Sequence, residues 1–239
     1  MGGVTLAIAH RGAPTVAREN TPGSFEAACR HGADMIELDL RRTRDGTIVV
    51  LHDATLDRLW GDERAVSEVD AATVAGLGGG DERIPTLAEV LDQVAIPLMV
   101  DFTEVEVVDG AVRAVEEAGA MDRCLFVTWN VEALRRLRGL SAVARIGLTW
   151  VHEEGPAPRL LAELGAEFWN PTSRLVTAEA VDGVHRLGVG VSTWTVDEPD
   201  EMARVCEAGV DAVVSNDIAG LRLFLSSRRD GGGDGGGVG

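Results

Sequence analysis

Short apolar runs alternate with amphipathic stretches almost from end to end of the chain, and no other feature limits its possible folds as much. Apolar runs at 5–9, 34–40, 47–51, 97–102, 124–128, 143–148, 167–170, 189–195 and 212–215 read as strands. Helical periodicity fills the gaps at 22–31, 86–94, 107–118, 131–138, 158–164, 178–187, 199–208 and 217–225. Strands separated by helices pair in parallel, because a parallel return needs a crossover long enough to hold a helix. Gly32, Gly119, Gly165, Gly188 and Gly209 each stand between a helical stretch and the next strand. Glycine there caps the helix and turns the chain back toward the sheet.

Nine strands are one too many for a closed eight-stranded barrel, and the third accounts for the surplus. Only Thr43-Arg44-Asp45-Gly46 separates it from the second, too little for a helix. Asp-Gly between apolar runs signals a hairpin, so 47–51 is expected to fold back antiparallel. Eight βα units then remain in 239 residues, the size of a (β/α)8 TIM barrel of α/β class. The charged stretch 53–85, which carries Gly78-Gly79-Gly80, is expected to be a small insertion. Residues 1–229 make one domain, and the glycine-rich 230–239 is expected to be a disordered tail.

Barrels carry their chemistry at the C-terminal ends of their strands. Those ends hold His10-Arg11-Gly12, Glu37-Leu38-Asp39, His52-Asp53 and Asp101. Glu37 and Asp39 are two apart and share one face of a strand. A turn centred on Asp45 pairs positions summing to about 89 or 90, which sets His52 beside Glu37 or Asp39. Three carboxylates packed together would repel and take up protons unless a cation held them. All-oxygen ligation favours Mg²⁺ or Ca²⁺. Pairing of these acids with Arg41, Arg42 or Arg44 on a hairpin surface is the competing reading. It is weakened because Ile36, Leu38 and Leu40 alternate with the acids and direct them into the barrel. His10 and His52 can exchange protons near neutrality, and Arg11 can fork onto an anionic oxygen. His31 and His185 read as packed or capping residues.

Charge and composition narrow the partners. The net charge is −17, and no lysine occurs anywhere, all 22 basic residues being arginine. That removes Schiff-base, lysine-nucleophile and P-loop chemistry and argues against a nucleic-acid partner. A small anionic substrate remains compatible, because a bound cation reverses the local sign. No apolar run is long enough to span a membrane. Only three residues precede the first apolar run, too few for a signal peptide's charged start. Cys29, Cys124 and Cys206 lack metal-ligand spacing and read as buried reduced thiols of a cytoplasmic protein. No obligate protein partner is indicated.

Ala9-His10-Arg11-Gly12, Glu19-Asn20-Thr21, the run from Gly32 to Leu40, Thr43-Arg44-Asp45-Gly46, Val49-Val50-Leu51-His52-Asp53, Leu56-Asp57-Arg58, Ile84-Pro85-Thr86-Leu87 and Trp194-Thr195-Val196 occur in that order. In this the chain resembles the glycerophosphodiester phosphodiesterases over nearly its whole length, most densely from His10 to Leu91. The resemblance implies hydrolysis of a glycerophosphodiester to glycerol 3-phosphate and an alcohol. It implies His10 and His52 as the acid–base pair, and Glu37, Asp39 and Asp101 as ligands of one Mg²⁺ or Ca²⁺. Arg11 would contact phosphate, with Glu19 and Asn20 beside it.

Two motifs depart from the family. Asp101-Phe102-Thr103 stands where the family usually has Glu-x-Lys, and Ser215-Asn216-Asp217-Ile218 where Thr-Asp-x-Pro is common. With no lysine in the chain, Arg11 is the cation expected to serve in place of the one missing at Thr103. Trp129, Trp150, Trp169 and Trp194 fall near strand ends and Trp60 in the insertion, so all five are expected on the catalytic side. They would form an aromatic wall for the alcohol, with Trp194 contacting substrate and a choline head as one candidate occupant. Two further readings keep the barrel: a phospholipase D-like activity on lysophospholipids, and a phosphodiester-binding barrel with little or no turnover.

Overall fold

A computed structural model describes residues 4–231 of the chain. Nine strands form one sheet: β1 (Leu6–His10), β2 (Met35–Arg42), β3 (Ile48–Val50), β4 (Leu98–Asp101), β5 (Cys124–Thr128), β6 (Arg145–Trp150), β7 (Ala166–Pro171), β8 (Gly190–Thr193) and β9 (Ala212–Ser215). All but β3 pair in parallel, and β1 joins both β2 and β9, so the eight parallel strands close into a barrel. Outside lie α1 (Pro22–Arg30), α2 (Leu87–Gln93), α3 (Val108–Glu117), α4 (Val131–Leu140), α5 (Pro158–Leu164), α6 (Ala178–His185), α7 (Pro199–Glu207) and α8 (Ile218–Gly231). This is the expected (β/α)8 TIM barrel. The last helix runs past the expected end at 225, and the tail expected from 230 lies outside the described residues from 232 on.

Local chemistry sets these boundaries. Thr21 and Thr86 open α1 and α2 with capping boxes completed by Ser24 and Glu89, and Asn130 and Thr177 cap α4 and α6. All five glycines expected after helices have positive φ. β3 folds back on β2 with Leu40 opposite Val50 and Arg42 opposite Ile48, the pairing that sums to 90. The insertion that follows consists of two small ribbons and short helices. It has its own apolar cluster, Leu51, Leu56, Val66, Val69, Val74 and Ile84, against the outer side of the hairpin.

Two apolar layers hold the barrel. Ile36, Leu38 and Leu40 face outward with Phe102, Phe126 and Leu148 into the helix layer, while Ile8, Met35, Met99, Leu125 and Val214 fill the interior. The three cysteines are free, but only Cys124 is buried as expected; Cys206 is half-buried and Cys29 is exposed. Cys29 lies on α1 away from the face that Ser24, Phe25, Ala27 and Ala28 bury. His31 ends α1, and His185 at the end of α6 pairs with Asp211.

Candidate active site

Strand register alone brings the acids and one histidine together. His10 lies opposite Glu37 between β1 and β2, and Asp39 lies opposite Asp101 between β2 and β4. His52 follows the hairpin by two residues, where the Leu51 N–H donates to the Asp39 carbonyl at 2.9 Å. These residues, with Arg11, Trp129 and Trp194, line a cavity of about 180 Å³ at the C-terminal mouth of the barrel.

The turn after β1 is the most contorted stretch of the site. Arg11 has φ +55° and Gly12 φ +87°, and a Cβ at Gly12 would lie 2.4 Å from Ser24 Oγ. Left-handed backbone at a non-glycine residue is uncommon and needs outside support. The Arg11 carbonyl accepts from Asn20 N–H at 2.9 Å and Ser24 Oγ at 3.0 Å. Its own N–H donates to Glu37 Oε2 at 3.0 Å. Asn20, itself at φ +57°, donates from Nδ2 to Asp39 Oδ2 at 2.8 Å. The Arg11 guanidinium sits between Glu19 Oε1 at 2.9 Å and Asp39 Oδ2 at 3.1 Å.

Each histidine has a partner on Nδ1. His10 Nδ1 is 2.7 Å from Asn216 Oδ1, and Asn216 donates its Nδ2 and backbone N–H to Asp197 at 2.8 and 2.7 Å. Asp197 thereby turns the amide oxygen toward His10, which makes Nδ1 the donor and leaves the Nε2 lone pair free. Nε2 stands 3.9 Å from Glu37 Oε2. Burial, then the charge of Arg11, lowers the His10 pKa against the raising effect of Asn216. His52 Nδ1 is 2.7 Å from Asp53 Oδ1. Hydrogen bonding from Arg58, then from His52, keeps Asp53 below the usual carboxylate range. Arg58 also binds Glu19, so the surroundings of both histidines are linked through Arg58, Glu19 and Arg11.

Two of the three acids are driven toward their protonated forms. Burial, then Asp39 and Asp101, drives the Glu37 pKa well up, and burial, then Asp39, raises Asp101 to about 8. Among the described residues no three His, Cys, Asp or Glu side chains are spaced to hold an ion as they stand. Asp39 is instead held by Arg11 and Asn20. The chemistry of the donors nevertheless fits a hard divalent cation: three carboxylates converge, and two of them are costly to ionise without one.

The structure differs from the sequence reading first in its tryptophans. Trp169 is 2 % exposed in the outer layer, because Phe168 and Asn170 on either side of it face inward. Trp150 follows inward-facing Thr149 and also turns outward, donating to the Glu154 carbonyl, with exposed His152 against its edge. Trp60 lies in the insertion beneath Arg18. The aromatic wall therefore reduces to Trp129 and Trp194. Arg11 is also not the only cation at the mouth, since Arg41 lines it too. Asn216, Asp197 and Arg58 join the site around its histidines; Asn216 lies in one of the two departing motifs and Arg58 in Leu56-Asp57-Arg58, but Asp197 lies in none.

A closed βα barrel with histidines and carboxylates gathered at the C-terminal ends of its strands defines an enzyme-like TIM-barrel protein. The model of the Glycerophosphoryl diester phosphodiesterase family matches residues 10–219, and the chain belongs to that family. It is 32% identical over 232 residues to a glycerophosphodiester phosphodiesterase of Caldanaerobacter subterraneus subsp. tengcongensis, covering 89% of this chain and 94% of that protein. A putative glycerophosphoryl diester phosphodiesterase from Silicibacter pomeroyi DSS-3 superposes with TM-score 0.86 at 26% identity, over 95% and 94% of the two chains. A phosphodiesterase from Oleispira antarctica, solved with the product sn-glycerol-3-phosphate, shares the fold with TM-score 0.87 at 22% identity, over 93% and 97%.

Proposed function

We propose that the protein hydrolyses glycerophosphodiesters to glycerol 3-phosphate and an alcohol. The observation that carries this reading is the pairing of His10 with Glu37 and of Asp39 with Asp101 across adjacent strands. It gathers acid–base groups and an oxygen donor set in one small cavity.

Glu37, Asp39 and Asp101 would hold one Mg²⁺ or Ca²⁺. When bound, such a cation neutralises the phosphate oxygens. His10, with Nε2 free, takes the proton from the attacking oxygen, whether of water or of a neighbouring substrate hydroxyl. A bond forms from that oxygen to phosphorus, and the bond from phosphorus to the alcohol oxygen breaks; where the hydroxyl attacks, the cyclic phosphate so formed is then opened by water, one ring P–O bond breaking to give glycerol 3-phosphate. His52 delivers the proton to the departing alkoxide. Asn216 and Asp53 fix which nitrogen of each ring does the work.

The test is a panel of glycerophosphodiesters and lysophospholipids assayed with Mg²⁺ and with Ca²⁺, following glycerol 3-phosphate release. Turnover of the glycerophosphodiesters, silenced by chelation, is expected. Headgroup release from lysophosphatidylcholine with none from glycerophosphocholine would transfer the activity to lysophospholipids. Binding without turnover at saturating metal would leave a phosphodiester-binding barrel, and activity that survives thorough chelation would remove the metal.

A further inference from the structure

We propose that Arg41 is a phosphate-binding residue of the mouth and supplies the positive charge that Arg11 is not free to give. The inference rests on reading the mouth as a phosphodiester site. Arg41 continues the line of Glu37 and Asp39 along β2, and the two-residue period keeps it on the inward face. Its side chain is only 14% exposed and lines the cavity, although β2 has by then begun to pair with the hairpin strand β3.

The partners of the two arginines differ. The Arg11 guanidinium lies between two carboxylates, Glu19 and Asp39, each 15% exposed. Arg41 pairs directly with one acid, Glu104 at 2.7 Å, which is 42% exposed in the segment after β4, and its charge also acts on buried Asp101. Its other partners are neutral oxygens. Nη1 donates to Thr103 Oγ1 at 3.0 Å, Nε donates to the His52 carbonyl at 2.9 Å, and Nη2 donates to that same carbonyl. Glu104 is the more exposed partner, so solvent screens its hold on Arg41 and an incoming anion can compete with it. With no lysine in the chain, Arg11 and Arg41 are the only permanent cations among the described cavity-lining residues.

A guanidinium carries five N–H donors, and these four contacts leave one on Nη2 unassigned. A phosphate oxygen that displaced Glu104 from Nη1 would leave the His52 and Thr103 anchors in place. Glu104 then acts as a latch, holding the guanidinium in position until an anion arrives. The Nη1 contact with Thr103 Oγ1 also marks where a different cation could be placed.

Equilibrium titration with sn-glycerol 3-phosphate, with and without divalent cation, tests this alongside KM and kcat. Arg41→Gln is expected to weaken glycerol 3-phosphate binding by about tenfold or more, with KM rising in parallel. Adding Thr103→Lys to that variant should recover most of the lost affinity, and Glu104→Gln alone should tighten binding by about two- to fivefold. Unchanged binding in Arg41→Gln with only kcat lowered would overturn the proposal and leave Arg41 as a clamp on the His52 carbonyl. Failure of Thr103→Lys to rescue would also count against it. If Arg41→Gln does not fold, Glu104→Gln carries the test, and no tightening there refutes the latch. A parent protein that neither binds glycerol 3-phosphate nor turns over glycerophosphodiesters would defeat the reading of the mouth itself. A parent that binds normally beside an indistinguishable Arg41→Gln defeats only this role.

Discussion

The barrel interior has two layers separated by a single two-residue step along its strands. One step separates Ile8 from His10 on β1, Met35 from Glu37 on β2, Met99 from Asp101 on β4 and Phe168 from Asn170 on β7. Met99 is 1 % exposed and Glu37 5 %, so both sit in nearly dry surroundings. For Met99 such burial favours folding, by about 1.5–3 kcal/mol for a side chain of that kind. For Glu37 the same burial opposes the charged form and drives the pKa up. The lower layer holds the strands together, and the upper layer spends part of that stability on keeping polar groups where substrate would enter. Adjacent positions on one strand can therefore have opposite effects on stability and activity.

The sharpest way to break this contrast is to exchange the expected effects. His10→Ala should lower kcat by about 10²- to 10⁴-fold, the usual size of a lost proton-transfer group, with no loss of thermal stability. Met35→Ala, in the same apolar layer but outside the cavity lining, should do the reverse, costing about 2–5 kcal/mol in denaturant unfolding while the folded fraction keeps its turnover. An inactive but fully stable Met35→Ala, or a His10→Ala that unfolds, would abolish the division between layers.

A subtler test uses pH. The Asp101 pKa rises from 3.8 in the open chain to about 8 in the folded, metal-free protein. Between those values the native state binds the proton and the unfolded chain does not, so stability is highest at the acid end and falls as pH rises. The Glu37 shift has the same sign. Urea midpoints of the metal-free protein should therefore decline from about pH 5 to about pH 8, and Asp101→Asn should flatten that decline. Equal pH slopes in the parent and the variant would show that the upper layer carries no such cost.

What could be read beforehand followed from short-range rules. The Asp45-Gly46 turn set the hairpin pairing, with Leu40 opposite Val50, and so brought His52 to the acids. The alternation from Ile36 to Leu40 assigned the inside and outside of β2. Contacts between distant parts of the chain could not be read this way. Asn216 and Asp197 lie about 200 residues from His10 in sequence and meet it only because β9 closes against β1. Nearness to a strand end does not fix the side of the pleat, and one residue of offset turns Trp150 and Trp169 outward. The competing hairpin-surface reading would turn Arg41 to solvent, yet β2 keeps its barrel parity through that residue even as it pairs with β3.

That offset also gives the smallest test, a comparison of two tryptophans. Trp129 is 58 % exposed at the rim of the cavity, and Trp169 is buried against the helices. An exposed cation–π contact is worth about 0.5–1 kcal/mol, a factor of roughly two to five. If a quaternary ammonium on the leaving alcohol rests against Trp129, Trp129→Ala should raise KM for glycerophosphocholine about two- to fivefold relative to glycerophosphoglycerol. Thermal stability should not change, because the ring buries little surface. Trp169→Phe, confined to the outer layer, should leave that ratio alone. Movement of the ratio by both variants would mean that the choline preference reflects the barrel's overall packing. Movement by Trp129→Ala alone would place the choice of alcohol at the rim, one side chain beyond the layer of histidines and carboxylates.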